Sequence, residues 1–260
     1  MKKLLLFLIT LTIGFSAVAQ KSKKTKKEER RQRINAMIKQ EEEGVLAYKK
    51  HTVYGIKLTS DGYGGFFEIG RTRSIKKALL FQLEFSERKH QKENKETIPF
   101  APTAPIIYGK QNFFYPVKLG MQQQFLLGNK SNKNGVSITG NVGGGISVGL
   151  LRPYEVEIID GTGKRTFIKY DDDSTHFIDG NVIIGGPNIG TGWKDLKVTP
   201  GLYVKPSLRF DYGRYNELVS AIETGLNFEF YSKKIPQMVH NKQKQFFFSA
   251  YVAILFGRRK

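Results

Sequence analysis

From Val136 to Leu150 the chain alternates without interruption. Val136, Ile138, Gly140, Val142, Gly144, Ile146, Val148 and Leu150 occupy one face, and Ser137, Thr139, Asn141, Gly143, Gly145, Ser147 and Gly149 the other. A repeat of two residues predicts a β-strand. About fifteen residues at roughly 3.4 Å each reach about 50 Å, well over twice an ordinary globular strand. The pattern recurs and predicts eight strands, over about 51–60, 63–72, 76–88, 111–128, 134–151, 196–212, 216–232 and 244–258. Apolar rows can be followed in most of them. They are Tyr54, Ile56 and Leu58; Leu79, Phe81, Leu83 and Phe85; and Phe113, Tyr115, Val117, Leu119, Met121 and Phe125. The later rows are Val198, Leu202, Val204, Leu208, Phe210 and Tyr212; Leu218, Ile222, Leu226, Phe228 and Phe230; and Phe246, Phe248, Ala250, Val252, Ile254 and Phe256.

The charged residues decide what the two faces are for. Lys57, Glu68, Glu84, Lys118, Lys205, Arg209, Asp211, Glu223 and Glu229 all fall on the parity opposite the apolar rows. A Lys or Arg facing hydrocarbon near the midplane costs about 2–4 kcal/mol. One parity free of charge and one carrying both signs therefore predict a lipid-facing exterior and a polar, ion-paired interior. The expected fold is all-β, an eight-stranded antiparallel transmembrane β-barrel. A soluble β-sandwich would show shorter strands with charges turned to water. Pro200 and Pro206 stand in the apolar row of the sixth strand. Proline has no N–H for the ladder, so they predict a bulge, or a strand running partly beyond the membrane.

The connections between strands are uneven. With both termini periplasmic, the outward connections are about 61–62, 89–110, 152–195 and 233–243, and the inward ones about 73–75, 129–133 and 213–215. Three long outer loops against three short inner turns is the asymmetry of outer-membrane barrels. Tyr54, Phe66, Phe113, Tyr115, Tyr212, Phe230, Phe246 and Phe256 lie near strand ends, and some of them are expected to form the aromatic girdles. The longest connection contains a hairpin at 154–170 around Asp160-Gly-Thr-Gly163, expected to extend the fifth strand outward. Counting that hairpin as wall would make ten strands, and the pattern alone leaves eight and ten open.

The first residues carry a different pattern. Lys2 and Lys3, an apolar run from Leu4 to Phe15, and Ala17-Val18-Ala19 before Gln20 form a secretory signal peptide over 1–19. The apolar run is too short to span a bilayer as a helix. No Cys follows it, and the chain has none at all, so neither a lipid anchor by that route nor disulfides are expected. Residues 20–50 read as a separate basic periplasmic segment. It comprises a Lys-rich tract, then a stretch from Glu28 to Tyr48 able to form a helix with a thin apolar stripe of Ile34, Met37, Ile38 and Val45. The formal net charge is +19, or +17 without Lys2 and Lys3. Export and the lack of a nucleic-acid motif argue against nucleic acid. The expected partners are outer-membrane lipid, lipopolysaccharide phosphates, or an envelope protein reached through residues 21–50.

Candidate chemistry is sparse. Asp171, Asp172, Asp173 and Asp179 could offer hard oxygens to Ca²⁺, but their spacing is not that of an EF-hand loop, and a hydrated loop tip is the simpler expectation. The stretch Gly185 to Gly192 matches no nucleotide-binding pattern. Trp193, the only Trp, is expected to pack a loop against the rim or to sit at the membrane interface. His51, His90, His176 and His240 show no metal-ligand spacing. A lipid-modifying enzyme would need one of His90, His176 or His240 as base, Ser86 or Ser232 as nucleophile and Glu87 as orienter, and nothing in the sequence joins them. No catalytic residue, cofactor or metal is expected. Eight strands leave a lumen that side chains just fill, so the charged interior is expected to be a salt-bridged plug rather than a pore. Gly140 and Gly144 leave a smooth strip on the lipid face where another barrel could approach.

The signal ending Ala-Val-Ala-Gln20, the eight alternating strands and the terminal run from Phe246 to Phe256 resemble small outer-membrane β-barrel proteins, of the OmpA and OmpX transmembrane type and the PorT-like barrels associated with type IX secretion. The resemblance covers about 51–258 at the level of architecture. The tail Gly257-Arg-Arg-Lys260 departs from the usual terminal aromatic. The basic periplasmic segment, the glycine-rich fifth strand and the lack of a catalytic constellation point to a non-catalytic barrel serving as a structural or accessory part of an envelope complex, in secretion or outer-membrane assembly. A surface binder or adhesin acting through 152–195 and a lipid-modifying barrel enzyme are the alternatives.

Overall fold

The structure is a computed structural model that describes residues 49–74, 76–97, 104–130, 135–180, 182–188, 190–213 and 218–260, with helical positions at Glu28, Glu29, Arg31, Gln32 and Asn35. The signal peptide and nearly all of the 20–50 segment lie outside the described residues. Eight long strands close into an antiparallel barrel: β1 (Lys50–Thr59), β2 (Gly62–Ser74), β3 (Lys77–Arg88), β4 (Asn112–Gly128), β5 (Ser137–Pro153), β9 (Lys197–Asp211), β10 (Leu218–Ile235) and β11 (Lys244–Arg259). Each pairs with the next in sequence, and β1 pairs with β11 to complete the ring. No helix among the described residues is long and apolar enough to cross a membrane. The wall crosses by strands, whose ladders satisfy every neighbour once the ring is closed.

The hairpin at 154–170 does not enter the wall. β6 (Glu155–Ile159) and β7 (Arg165–Lys169) pair with each other, and the short β8 (Ile183–Gly185) joins the other edge of β6. They form a separate three-stranded sheet, so the wall has eight strands and not ten.

Parity sorts side chains as alternation requires. On β11, Phe246, Phe248, Val252, Ile254 and Phe256 are exposed, while Phe247, Ser249, Tyr251, Ala253 and Leu255 are buried. The exposed rows of Tyr54, Ile56 and Leu58, of Phe81, Leu83 and Phe85, and of Leu202, Val204 and Leu208 continue this apolar belt around the barrel. Exposed large hydrophobic side chains in that number fit hydrocarbon, not water.

Three expectations change. Pro200 and Pro206 cause no bulge: β9 keeps one register against β5 from Asp211 to Lys197 and one against β10 from Asp211 to Gly201. The missing N–H instead leaves a gap in the β9–β10 ladder between Ser207 and Val204, while the strand runs on. Pro116 does the same between β3 and β4, where pairing lapses from Phe85 to Arg88. Phe66 is not a girdle residue. It points inward, two residues before Glu68 on the same parity, and is buried with Val53, Tyr251 and Leu255. Tyr115 faces outward but is covered by loop residues rather than bare to lipid.

The barrel ends differ. At the turn end lie the start of β1, the end of β11 and the short connections 75–76, 129–136 and 212–217. At the loop end, segments 89–97, 104–111, 154–180, 182–188, 190–196 and 236–243 pack together. Glu96 pairs with Ile106 and Lys110 with Met238 as isolated bridges. Tyr154 N–H donates to the Gln111 carbonyl, and Gly186 N–H to that of Ala104, each at 2.9 Å. Ile106, Ile107, Tyr154, Val156, Ile158, Phe177 and Ile183 bury one another in a second apolar core, which we call the cap.

Candidate functional site

All nine charged residues singled out from the sequence project into the lumen, none more than 4 % exposed. The structure adds Arg88, Asp61 and His51 to them. From the loop end, Arg88 Nε bonds Asp61 at 2.7 Å and its Nη2 bonds Glu229 at 2.8 Å. Lys118 lies 2.6 Å from Glu229 and 2.9 Å from Glu84. Lys57 also bonds Glu84. Lys205 lies 3.9 Å from Glu84 and 3.5 Å from Glu223. Arg209 spans Glu223 and Glu68, holding Glu68 through two N–H groups at 2.8 Å each. His51 stands 3.3 Å from Glu68. Cation and anion thus alternate without a break from the loop-end turn almost to the turn end.

Asp211 stands apart from this chain. It binds Arg259 and accepts from Lys130 Nζ at 3.3 Å. Neutral donors complete the network: the Tyr251 hydroxyl donates to Glu223 at 2.6 Å, and the Tyr231 hydroxyl to Glu229 at 2.7 Å. Above the charges, Phe114, Leu151, Tyr231, Ile235 and Phe247 form an apolar plug toward the loop end. A buried charge is tolerated only when paired and hydrogen-bonded. The lumen is therefore a packed core built of polar groups.

The added members were within reach of the same parity rule. Arg88 continues the row of Gln82, Glu84 and Ser86, and His51 that of Val53 and Lys57. Both sit at strand ends, where a sequence pattern loses its register.

The cap folds down over the outer face of the wall as well as the mouth. Trp193, in the 3₁₀ turn Trp193–Asp195, stacks on Tyr115 at 5.8 Å and 15°, and Tyr115 stacks on Phe85 at 6.0 Å and 10°. The Arg152 guanidinium lies 4.1 Å from the Phe113 ring centre and 5.0 Å from that of Trp193. This places Trp193 against the rim, where amphipathic rings favour the interface. Lys110, fully buried, lies 2.6 Å from Glu93 and 4.3 Å from the Phe113 ring centre, and burial pulls its ammonium below the usual lysine value. Burial pushes the Tyr154 hydroxyl up to about 12, where it stays protonated while accepting from Ile107 N–H at 2.8 Å. Gly186 is required by this packing, since a Cβ there would meet the Pro105 carbonyl oxygen at 2.2 Å. Gly192 carries φ +77° and lets the chain turn into the Trp193 segment.

The remaining candidates are dispersed. Asp171 binds Lys197, and Asp172 faces Lys169 at 3.7 Å. Asp173 caps the short helix α1 (Ser174–Ile178) and holds His176 at 2.6 Å, so hydrogen bonds from the His176 and Thr175 groups lower its carboxyl. Among the described residues no cluster could hold a metal ion. Ser86 turns to the Pro116 carbonyl, and His90 Nδ1 accepts from Lys92 N–H. The contacts of Ser86, Ser232, His90 and His176 do not assemble a nucleophile and base. Gly140 and Gly144 face outward as expected, but a Cβ at 140 would meet the Leu127 side chain at 3.3 Å and one at 144 the Tyr203 carbonyl oxygen at 2.5 Å. Contacts within this chain already account for both glycines.

Comparison with known proteins adds architecture. No protein-family model matches the chain, and no curated protein does. Among solved structures it is similar to Neisserial surface protein A, at 10 % identity over 81 % of this chain and 96 % of that one, with a TM-score of 0.37. It is similar to the N-terminal β-barrel domain of Pseudomonas aeruginosa OprF, at 10 % identity over 81 % and 98 %, with a TM-score of 0.34. It is also similar to Ail, the attachment invasion locus protein of Yersinia pestis, at 9 % identity over 82 % and 99 %, with a TM-score of 0.37. The chain resembles small outer-membrane β-barrel proteins in architecture.

Proposed function

We propose that this protein is a non-catalytic outer-membrane barrel acting as a structural or accessory component of an envelope complex, in secretion or outer-membrane assembly. The observation that carries the reading is the lumen filled by paired charges and closed toward the loop end by an apolar plug. A barrel with no open path through it works through its surfaces. In this reading residues 1–19 are removed on export, both termini and the turn end lie in the periplasm, and the basic segment 20–50 reaches toward a protein partner.

The test is purification from native outer membranes in mild detergent, with a tag inserted at Gly161, an exposed turn with open space around it. A stoichiometric envelope partner that is lost on deleting residues 21–50 supports the reading. A clean monomer in every mild detergent overturns it.

A second reading is favoured by the cap. A loop cluster with its own apolar core presents a fixed surface, as a binder or adhesin requires. Removing residues 155–185 while the barrel still folds would abolish surface binding under this reading and leave partner retention intact under the first.

A further inference from the structure

The turn end carries a one-sided band of positive charge. Lys50, Arg71, Arg73, Lys77, Arg258 and Lys260 are all exposed there. They belong to β11, β1, β2 and β3, four neighbours in the wall. Register places them side by side. Lys50 pairs directly with Arg71, Arg258 pairs with Thr52, and Lys77 pairs with Ser74 beside the bulge at Arg73. Lys260 bonds the Lys50 backbone at 2.7 and 2.8 Å. Lys50, Arg71, Lys77 and Arg258 share the outward parity of Tyr54, Ile69, Phe81 and Phe256, so they stand just past the edge of the apolar belt.

Among the described residues nothing neutralises this band. None of the six has an acidic partner among the described residues. The one described acid of the barrel at this end, Asp211, points inward and is held by Arg259 and Lys130. Like charges directly opposite on neighbouring strands are destabilising when nothing lies between them. The rest of the same rim is different. Its described outward strand residues include Leu127, Val136, Ile138, Phe210, Tyr212 and Leu218, apolar or aromatic.

We propose that the outward rim of β11, β1, β2 and β3 at the turn end is a binding surface for the phosphate headgroups of anionic phospholipids. The position at the hydrocarbon edge selects a lipid over a soluble anion, because acyl chains would lie on Ile56, Ile69, Phe81 and Ile254 while the phosphates meet the cations. Arginine and lysine side chains of this reach extend from the belt edge to the headgroups. That the lipid is phospholipid rests on the proposed orientation, which puts the turn end in the periplasmic leaflet.

The experiment uses the full mature chain in vesicles of phosphatidylcholine containing a small fraction of phosphatidylglycerol, followed by gentle extraction and native mass spectrometry of retained lipid. Phosphatidylglycerol should be retained in excess over its bulk fraction, and raising salt from about 0.1 to 0.5 M should diminish the excess by screening. The variant K50Q/R71Q/K77Q/R258Q should lose it, at about fivefold per residue removed. K164Q/K194Q, changing exposed cations of the cap, should keep it. Equal retention of the two lipids by the parent chain, salt-insensitive retention, or equal loss in the cap variant would each overturn the proposal. Because the salt arm needs only the parent chain, a variant that fails to insert does not remove the test. Displacement by millimolar inorganic phosphate would mark a soluble-anion site and overturn the lipid assignment. Orientation is read separately, by protease access to the Gly161 tag on whole cells. A periplasmic tag would sink the orientation and leave the vesicle result standing.

Discussion

The barrel and the cap solve opposite burial problems with one chain. The barrel turns its apolar side chains outward and buries Lys57, Glu84, Lys118, Lys205, Arg209, Glu223 and Glu229. The cap buries Ile106, Val156, Ile158, Phe177 and Ile183 and exposes Lys164, Arg165, Asp171 and Asp172. The difference follows from what each touches. Hydrocarbon outside the barrel removes the reason to hide apolar groups, so the lumen can be held by charge alternation. Water around the cap restores the ordinary hydrophobic drive. A substitution that one region tolerates should damage the other.

The comparison breaks most sharply in the lumen. Glu84 faces Lys57, Lys118 and Lys205, and Glu84→Gln strands the Lys57 ammonium away from water while Lys118 keeps Glu229 and Lys205 keeps Glu223. Leaving a buried pair half-made costs about 3–5 kcal/mol. The urea midpoint of the folded barrel in detergent should fall accordingly, while a cap variant leaves it unmoved. Phe177→Ala is the counterpart. It opens a hole in the apolar core at a local cost of about 3–5 kcal/mol. Limited proteolysis should then cut within 155–185 at protease levels that spare the parent, with no change in the barrel's heat-dependent gel mobility. On the outer face, Ile254→Arg should cost about 2–4 kcal/mol in lipid, read as a lower midpoint in vesicles.

The smallest effect is a pH dependence confined to the cap side. Burial, and then the charge of Lys244, hold His90 below its usual value, with Lys92 and Lys110 adding to this and Glu93 opposing it. The folded loop thus favours the neutral ring. Its contribution is whole above the ordinary histidine value of 6.5 and drains as pH falls through the lower folded one. Cleavage near 89–97 should quicken as pH falls below the ordinary histidine value of 6.5 in the parent, and His90→Gln should flatten that step.

The wall was legible because a period of two is a local property. The row from Phe246 to Phe256 needs no knowledge of its partner, and strand ends from the sequence agree with the structure to within about three residues. The luminal charges followed from the same parity. Their pairing did not: Arg88 meets Glu229, and Arg209 meets Glu68, across the ring from distant parts of the chain. The cap stayed hidden for the same reason. Ile106, Phe177 and Ile183 sit in three stretches with no shared period, and only the closed barrel brings those loops to one mouth. β8 is three residues long and has no pattern to read. The prolines misled in sequence because a missing N–H was taken as a fault in register, whereas Pro206 only leaves one rung of the β9–β10 ladder empty.

Ring closure also sets the order in which the molecule can come into being. Every seam but one joins strands adjacent in the order of the wall, and each can zip as soon as its second strand is available. The seam between Lys50–Thr59 and Lys244–Arg259 joins the first wall strand to the last. Until both are present, two raw edges of unsatisfied amides face whatever lies nearby, and such edges recruit other chains. The first and last wall strands are therefore the edges that stay open longest, and the molecule's most dangerous moment is the one just before it is whole.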